Sequence, residues 1–268
     1  MVDKSFKRPI GIFDSGVGGL TVLKEVERLL PFEDIVYFGD TARVPYGNKS
    51  KSAIIRFSTE SALFLLKKKV KMVVVACNTS SSLALEHLRR VLTVPVIGVI
   101  AAGVNKALSL KSQNRIGIIG TRATIASGSY EREIHRHDKK IKIYAQPCPL
   151  FAPLVEEGHL KGKVVDEIID MYLRNFKKNH VDTVILACTH YPLLKPEISK
   201  YLKDSEIVDS AKEVARYAEK LLEDKKLLNN QRKRGRKTFY VSDEPAAFVK
   251  LAKLFLKRRI TKPKIVNV

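Results

Sequence analysis

The chain has 268 residues, 45% of them hydrophobic, with ordinary Gly and Pro counts, which places it among globular proteins able to bury a substantial core. Three cysteines are too few and too odd in number for a disulfide framework, so the expectation is free thiols in a reducing, cytoplasmic setting. Lys and Arg outnumber Asp and Glu by 49 to 28, a net charge of +21 that raises nucleic-acid binding as a possibility.

The basic residues are spread along helix faces and loops. The densest run, QRKRGRK at 231–237, reads as an exposed loop, so the favoured reading is a solvated surface with at most non-specific charge attraction to nucleic acid. The N-terminal stretch has charges but no apolar core, so no signal peptide is expected. The longest near-apolar run, 92–104, is too short for a membrane helix and contains Pro95.

In chain order, a strand is predicted at 8–13, then a Gly-rich turn and a helix over 19–30 stopped by Pro31. A strand at 34–39, a helix over 50–68 and a strand at 71–77 follow. KMVVVAC alternates too little for a solvent-exposed face, so it should be covered on both sides. A helix over 81–92 leads into a strand at 95–100. The pattern then restarts, with a strand at 115–120, a helix over 123–136 and a strand at 142–146. A helix over 163–178 has an apolar stripe of Val165, Ile168, Ile169, Tyr172 and Phe176. After it come a strand at 182–188, a helix, and a strand at 206–209. The last segment reads as a helix over 211–228, a strand at 238–242 and a helix to about 257. Alternating strands and helices imply parallel sheets with helices on both faces.

The restart has the character of an internal repeat. RPIGIFDSGVGG aligns with NRIGIIGTRATI, and VKMVVVACNTSSS with VDTVILACTHYPL. The sequence therefore predicts an α/β fold of two similar domains with mainly parallel sheets, pseudo-twofold related, with the active site in the cleft between them. Ligands in such sheets lie outside the carboxyl ends of the strands, where both Cys77 and Cys188 fall.

Two opposed thiols suit the inversion of a carbon acid: a thiolate removes a proton from one face and a thiol returns one to the other. His190, two residues past Cys188, could tune that sulfur. Cys148 in QPCPLF lacks polar company and reads as structural. DSGVGGLT fits neither phosphate-loop pattern, although Asp14 and Ser15 could cap a helix or hold a small carboxylate. No C-x-x-C, H-x-x-x-H or H-E-x-x-H occurs, so no metal site is expected. A Cys–His hydrolase using Cys188 is the rival enzyme class, but it leaves Cys77 and the duplication unexplained.

IGIFDSGVGGLTV (10–22), YFGDTARVPYGNKS (37–50), ACNTSS (76–81), PLFAPLVEEG (149–158) and ACTHYPLL (187–194) resemble the motifs of the cofactor-independent aspartate/glutamate racemases, glutamate racemase above all. The resemblance implies interconversion of L- and D-glutamate without cofactor or metal, supplying D-glutamate for peptidoglycan; a related aspartate or other amino-acid racemase is the alternative. It implies that Cys77 deprotonates D-glutamate and Cys188 L-glutamate, assisted by Asp14 and His190 respectively. It also implies an acidic residue, placed at Glu157 with Glu156 as the alternative. Substrate contacts are implied for Asp14, Ser15, Tyr46, Gly47, Asn78, Thr79, Thr121, Thr189 and His190. A first domain of 1–98 plus 210–268 and a second of 99–209 are expected, as is a homodimer.

Overall fold

The computed structural model describes residues 5–110, 114–229, 231 and 233–268. Two all-parallel sheets organise the chain. In the first, β1 (Ile10–Asp14) lies between β2 (Ile35–Gly39) and β3 (Met72–Val75), with β4 (Val96–Gly98) beyond β3. In the second, β5 (Arg115–Gly120) lies between β6 (Lys142–Pro147) and β7 (Thr183–Ala187), with β8 (Glu206–Val208) beyond β7. The strand order β2-β1-β3-β4 is thus repeated as β6-β5-β7-β8. The chain then returns to the first sheet: β9 (Lys237–Val241) pairs with β2, and β10 (Lys264–Ile265) with β9.

Helices cover the sheets, and the central strands are buried throughout their length, the condition for all-parallel sheets. Among the helices are α1 (Leu20–Leu29), α2 (Lys51–Lys67), α3 (Asn78–Leu83), α4 (Leu85–Val91), α5 (Ile100–Leu108), α6 (Arg122–Ala126), α7 (Ser129–His137), α8 (Phe151–Glu156) and α9 (Lys163–Lys178). The set is completed by α10 (Lys195–Tyr201), α11 (Ala211–Asp224) and α12 (Pro245–Leu256). One apolar cluster runs from Ile10 and Leu23 of the first sheet's layer to Leu186 and Val214, so the two sheets' cores are continuous.

The repeat extends to register. Gly11 of β1 stands opposite Val73 of β3, and Gly117 of β5 opposite Val184 of β7. Cys77 lies four residues beyond Val73, and Cys188 four beyond Val184. Both glycines meet close neighbours on their covering side. A Cβ on Gly11 would stand 3.0 Å from Val70 Cγ1, and one on Gly117 3.0 Å from Val181 Cγ1. Val70 and Val181 each precede the paired valine by three positions, so the same packing recurs in both halves.

Several elements differ from the sequence expectation. The apolar stretch 92–104 holds two elements, β4 and α5, because both are buried and no polar break separates them. The helix expected over 81–92 begins earlier, at Asn78, and divides at Ala84. That expected over 123–136 divides into α6 and α7 at Gly128, whose φ of 60° ends the first and starts the second. α11 stops at Asp224, ahead of Lys226 with φ 55°. Among the described residues no helix is long and apolar enough to cross a membrane. In the basic run, Asn230 and Arg232 lie outside the described residues, while Lys233, Arg234 and Arg236 are exposed.

Candidate active site

A cavity of about 270 Å³ opens where the carboxyl ends of the two sheets face each other. Cys77 and Cys188 both line it, from different sheets. They are only 5% and 7% exposed, so each sulfur is reached through the cavity or hardly at all. Cys77 follows β3 and caps the first turn of α3, its carbonyl accepting from Ser81 N at 2.8 Å. Asn78 and Thr79, the first residues of α3, line the same wall. Thr189 and His190 follow Cys188 and line the opposite wall.

Ser15 comes from the turn after β1, and Thr121 from the matching turn after β5. Tyr46 and Gly47 arrive on a single-turn helix, Tyr46–Asn48. A Cβ on Gly47 would meet Thr121 Cβ at 2.5 Å, so the two halves touch closely here and only glycine fits. Tyr46 OH also donates to the buried Asp40 carboxylate, which accepts from Arg43 Nε at 2.6 Å and Ser242 Oγ at 2.9 Å. This network holds the loop that forms one wall.

Hydrogen bonds cross between the halves. Thr79 Oγ1 lies 3.0 Å from Thr121 Oγ1 and 3.1 Å from Thr124 Oγ1. Thr189 Oγ1 donates to Asp14 Oδ2 at 3.4 Å, and Thr21 Oγ1 to the Thr189 carbonyl at 3.3 Å. Of these, Thr79, Thr121 and Thr189 line the cavity, a space suited to a small anion or zwitterion, which needs several donors at fixed positions.

The surroundings of the two sulfurs differ. Burial pushes the Cys77 thiol up to about 11, and the nearby Asp14 charge adds to this against the Ser80 backbone N–H and Ser15 hydroxyl. Cys77 Sγ lies 3.7 Å from Ser15 Oγ. Cys188 Sγ instead lies 3.9 Å from His190 Nδ1, and His190 Nε2 lies 2.8 Å from Glu156 Oε1. Burial works against charge on His190, but Cys188 and Glu156 outweigh it and raise the imidazole to about 10. His190 also packs edge-on against Phe255 of α12, with ring centroids 5.5 Å apart.

Two expected residues stand elsewhere. Asp14 does not line the cavity: it is fully buried beneath it, accepting from Gly16 N at 3.0 Å through Oδ1. Burial raises its acid, opposed by the His190 charge and by backbone donors at Gly16 and Gly19. Of the two acidic candidates, Glu157 and its alternative Glu156, it is Glu156 that lines the cavity. Ala152, Pro153 and Glu156 share one face of α8 and line the cavity, whereas Phe151, Leu154 and Val155 face the core. Glu157 falls off that face, at the C-terminal cap, and is exposed. Val44 and Pro45 also line the cavity; the sequence singled out neither, since apolar lining residues resemble ordinary loop residues. Cys148 is buried away from the lining, as expected of a structural cysteine. Among the described residues no group of three or more His, Cys, Asp or Glu could hold a metal ion.

Paired thiols at matched strand ends suggest a family, and comparison with known proteins identifies it. Residues 10–218 match the profile of the Asp/Glu/Hydantoin racemases. The chain belongs to that family. It is 46% identical over 250 residues to the glutamate racemase of Geobacter metallireducens, covering 93% of each chain. Among solved structures it is similar to the glutamate racemase of Francisella tularensis in complex with D-glutamate, with TM-score 0.92, 40% identity and 98% of each chain covered. It is also similar to the glutamate racemase of Thermus thermophilus in complex with beta-chloro-D-alanine, with TM-score 0.89, 44% identity and 99% of each chain covered. The chain is accordingly an amino-acid racemase, an isomerase.

Proposed function

We propose that the substrate is glutamate and that the chain interconverts its L and D forms with two thiol bases and no cofactor. The observation that carries this is the pair of cysteines at equivalent strand ends of two sheets, lining one cavity. In the proposed reaction Cys188 as thiolate takes the α-proton of L-glutamate while Cys77 as thiol protonates the opposite face; D-glutamate runs the reverse. The raised pKa of the Cys77 thiol keeps it protonated at neutral pH, which suits the proton-donating role. His190, supported by Glu156, assists Cys188 by holding or supplying a proton beside it. Asp14 acts from beneath the cavity wall, on Cys77 through its charge and on Thr189 through a hydrogen bond.

Without an electron-sink cofactor, developing charge at the α-carbon has to be met by preorganised donors in a site closed to water. Ser15, Asn78, Thr79, Thr121 and Thr189 supply hydroxyl and amide groups for the two carboxylates. Sheet membership supports a division into 1–98 plus 210–268 and 99–209, two bodies that close on the substrate. The D-glutamate formed would feed peptidoglycan synthesis in the cytoplasm.

Circular dichroism of purified protein with L-glutamate, then D-glutamate, then aspartate, without added cofactor, tests the substrate. Loss of optical rotation is expected from either glutamate enantiomer; preference for aspartate would replace glutamate as the assignment. Incorporation of solvent deuterium at the α-carbon separates this chemistry from a Cys–His hydrolase, which need not exchange that proton.

A further inference from the structure

Asn78 adjoins Cys77 and is 3% exposed, lining the cavity. Its Oδ1 accepts a 2.6 Å hydrogen bond from the hydroxyl of Tyr130. Tyr130 is 2% exposed and sits on α7, in the layer over the second sheet, whereas Asn78 opens α3 at the first. The bond therefore joins the two halves. Among the described residues no hydrogen bond is made by Asn78 Nδ2. An amide presents an acceptor at one end and two donors at the other, and the wrong end toward a carboxylate repels it. With the oxygen engaged by a phenol, the NH2 is the end turned to the cavity.

We infer that Tyr130 is a positioning residue for substrate recognition: its hydroxyl holds the Asn78 amide so that the two N–H groups face a carboxylate of the bound amino acid. Burial, with the nearby Cys188 and Asp209 charges, pushes the phenol's ionisation far upward, so Tyr130 remains a neutral donor. Because Tyr130 touches neither sulfur through a hydrogen bond, its effect falls on binding and leaves proton transfer alone. Because the bond spans the halves, the donor end of Asn78 is set only when the cleft walls stand at this separation.

This inference rests on the proposed glutamate reaction, and the experiment keeps the two apart. Steady-state kinetics with both enantiomers compare wild type, Tyr130→Phe, Asn78→Ala and the double variant. An inactive wild type defeats the proposed reaction. Given an active wild type, Tyr130→Phe is expected to raise KM for both enantiomers about tenfold with kcat within about twofold, one charged hydrogen bond's worth of binding. In the Asn78→Ala background the same change should raise KM no further. An unmoved KM, or an equal rise in both backgrounds, overturns the positioning role. Should Tyr130→Phe fail to fold, Asn78→Asp keeps an acceptor for Tyr130 while replacing the NH2 with a second carboxylate oxygen; a KM rise larger than about tenfold is expected, and a wild-type KM overturns the inference.

Discussion

The two cysteines occupy the same place in two copies of one architecture, yet their neighbours are different. At the end of β1 stands Asp14; the matching position of β5 is Gly120, where a Cβ would stand 3.0 Å from the Ala187 carbonyl. Two residues past Cys77 stands Thr79, whereas two past Cys188 stands His190. One sulfur thus has a buried carboxylate beneath it and the other an imidazole beside it. Equivalent backbone carries the sulfurs to one cavity, and non-equivalent side chains surround them there. A duplicated fold thus supplies near-symmetry in the backbone, while its side chains give each sulfur a different setting for the proposed reaction.

The largest effect should follow from breaking the pair. Cys77→Ala and Cys188→Ala are each expected to lower racemisation of glutamate by more than about 1000-fold, as loss of a positioned acid or base does. Measured turnover near wild type in either variant would end the two-base reading. Next comes thiol reactivity, since the thiolate is the nucleophile. Alkylation of Cys77, followed by peptide mass spectrometry, should be slow at pH 7 and rise about tenfold per pH unit toward its value of about 11. A pH-independent rate would show that burial and Asp14 do not control it.

Glu156→Gln tests the other side. Glu156 is one of two groups raising His190 to about 10, so its neutralisation should let the imidazole lose its proton at lower pH. An NMR titration of the His190 ring reads this directly, and an unmoved midpoint would remove Glu156 from the arrangement. The smallest effect concerns the shared architecture. Gly117→Ala crowds Phe176 and Val181 and is expected to cost about 1–3 kcal/mol in chemical denaturation. Gly11→Ala should cost less, because its nearest contacts, on Val70 and Leu65, begin at 3.0 Å, whereas Phe176 would crowd a Cβ on Gly117 more closely. Equal stability of Gly117→Ala and wild type would mean that the covering layer yields more readily than its packing suggests.

Much of this arrangement was legible beforehand for definite reasons. Buried parallel strands demand unbroken apolar runs, and a sudden switch to Cys-Asn-Thr or Cys-Thr-His marks where such a strand leaves the core. The Gly11 and Gly117 motifs aligned because both meet the same packing constraint. Sequence alone does not separate Glu156 from Glu157, because that choice depends on the faces of α8: with Phe151, Leu154 and Val155 inward, Ala152 and Glu156 fall on the cavity face. Tyr130 could not be found at all, since a tyrosine early in an amphipathic helix has the pattern of a core residue.

By itself the sequence determined the alternation of elements, the duplication, and the pair of cysteines at strand ends, because each follows from local periodicity or from comparison of two segments of one chain. Tertiary structure alone decided which groups meet: Asp14 with Thr189, Thr79 with Thr121 and Tyr130 with Asn78 across the cleft, and His190 with Glu156 within the second half. Those partners lie 34 to 175 positions apart, and their meeting depends on how distant elements are set against each other in space, which no local pattern encodes.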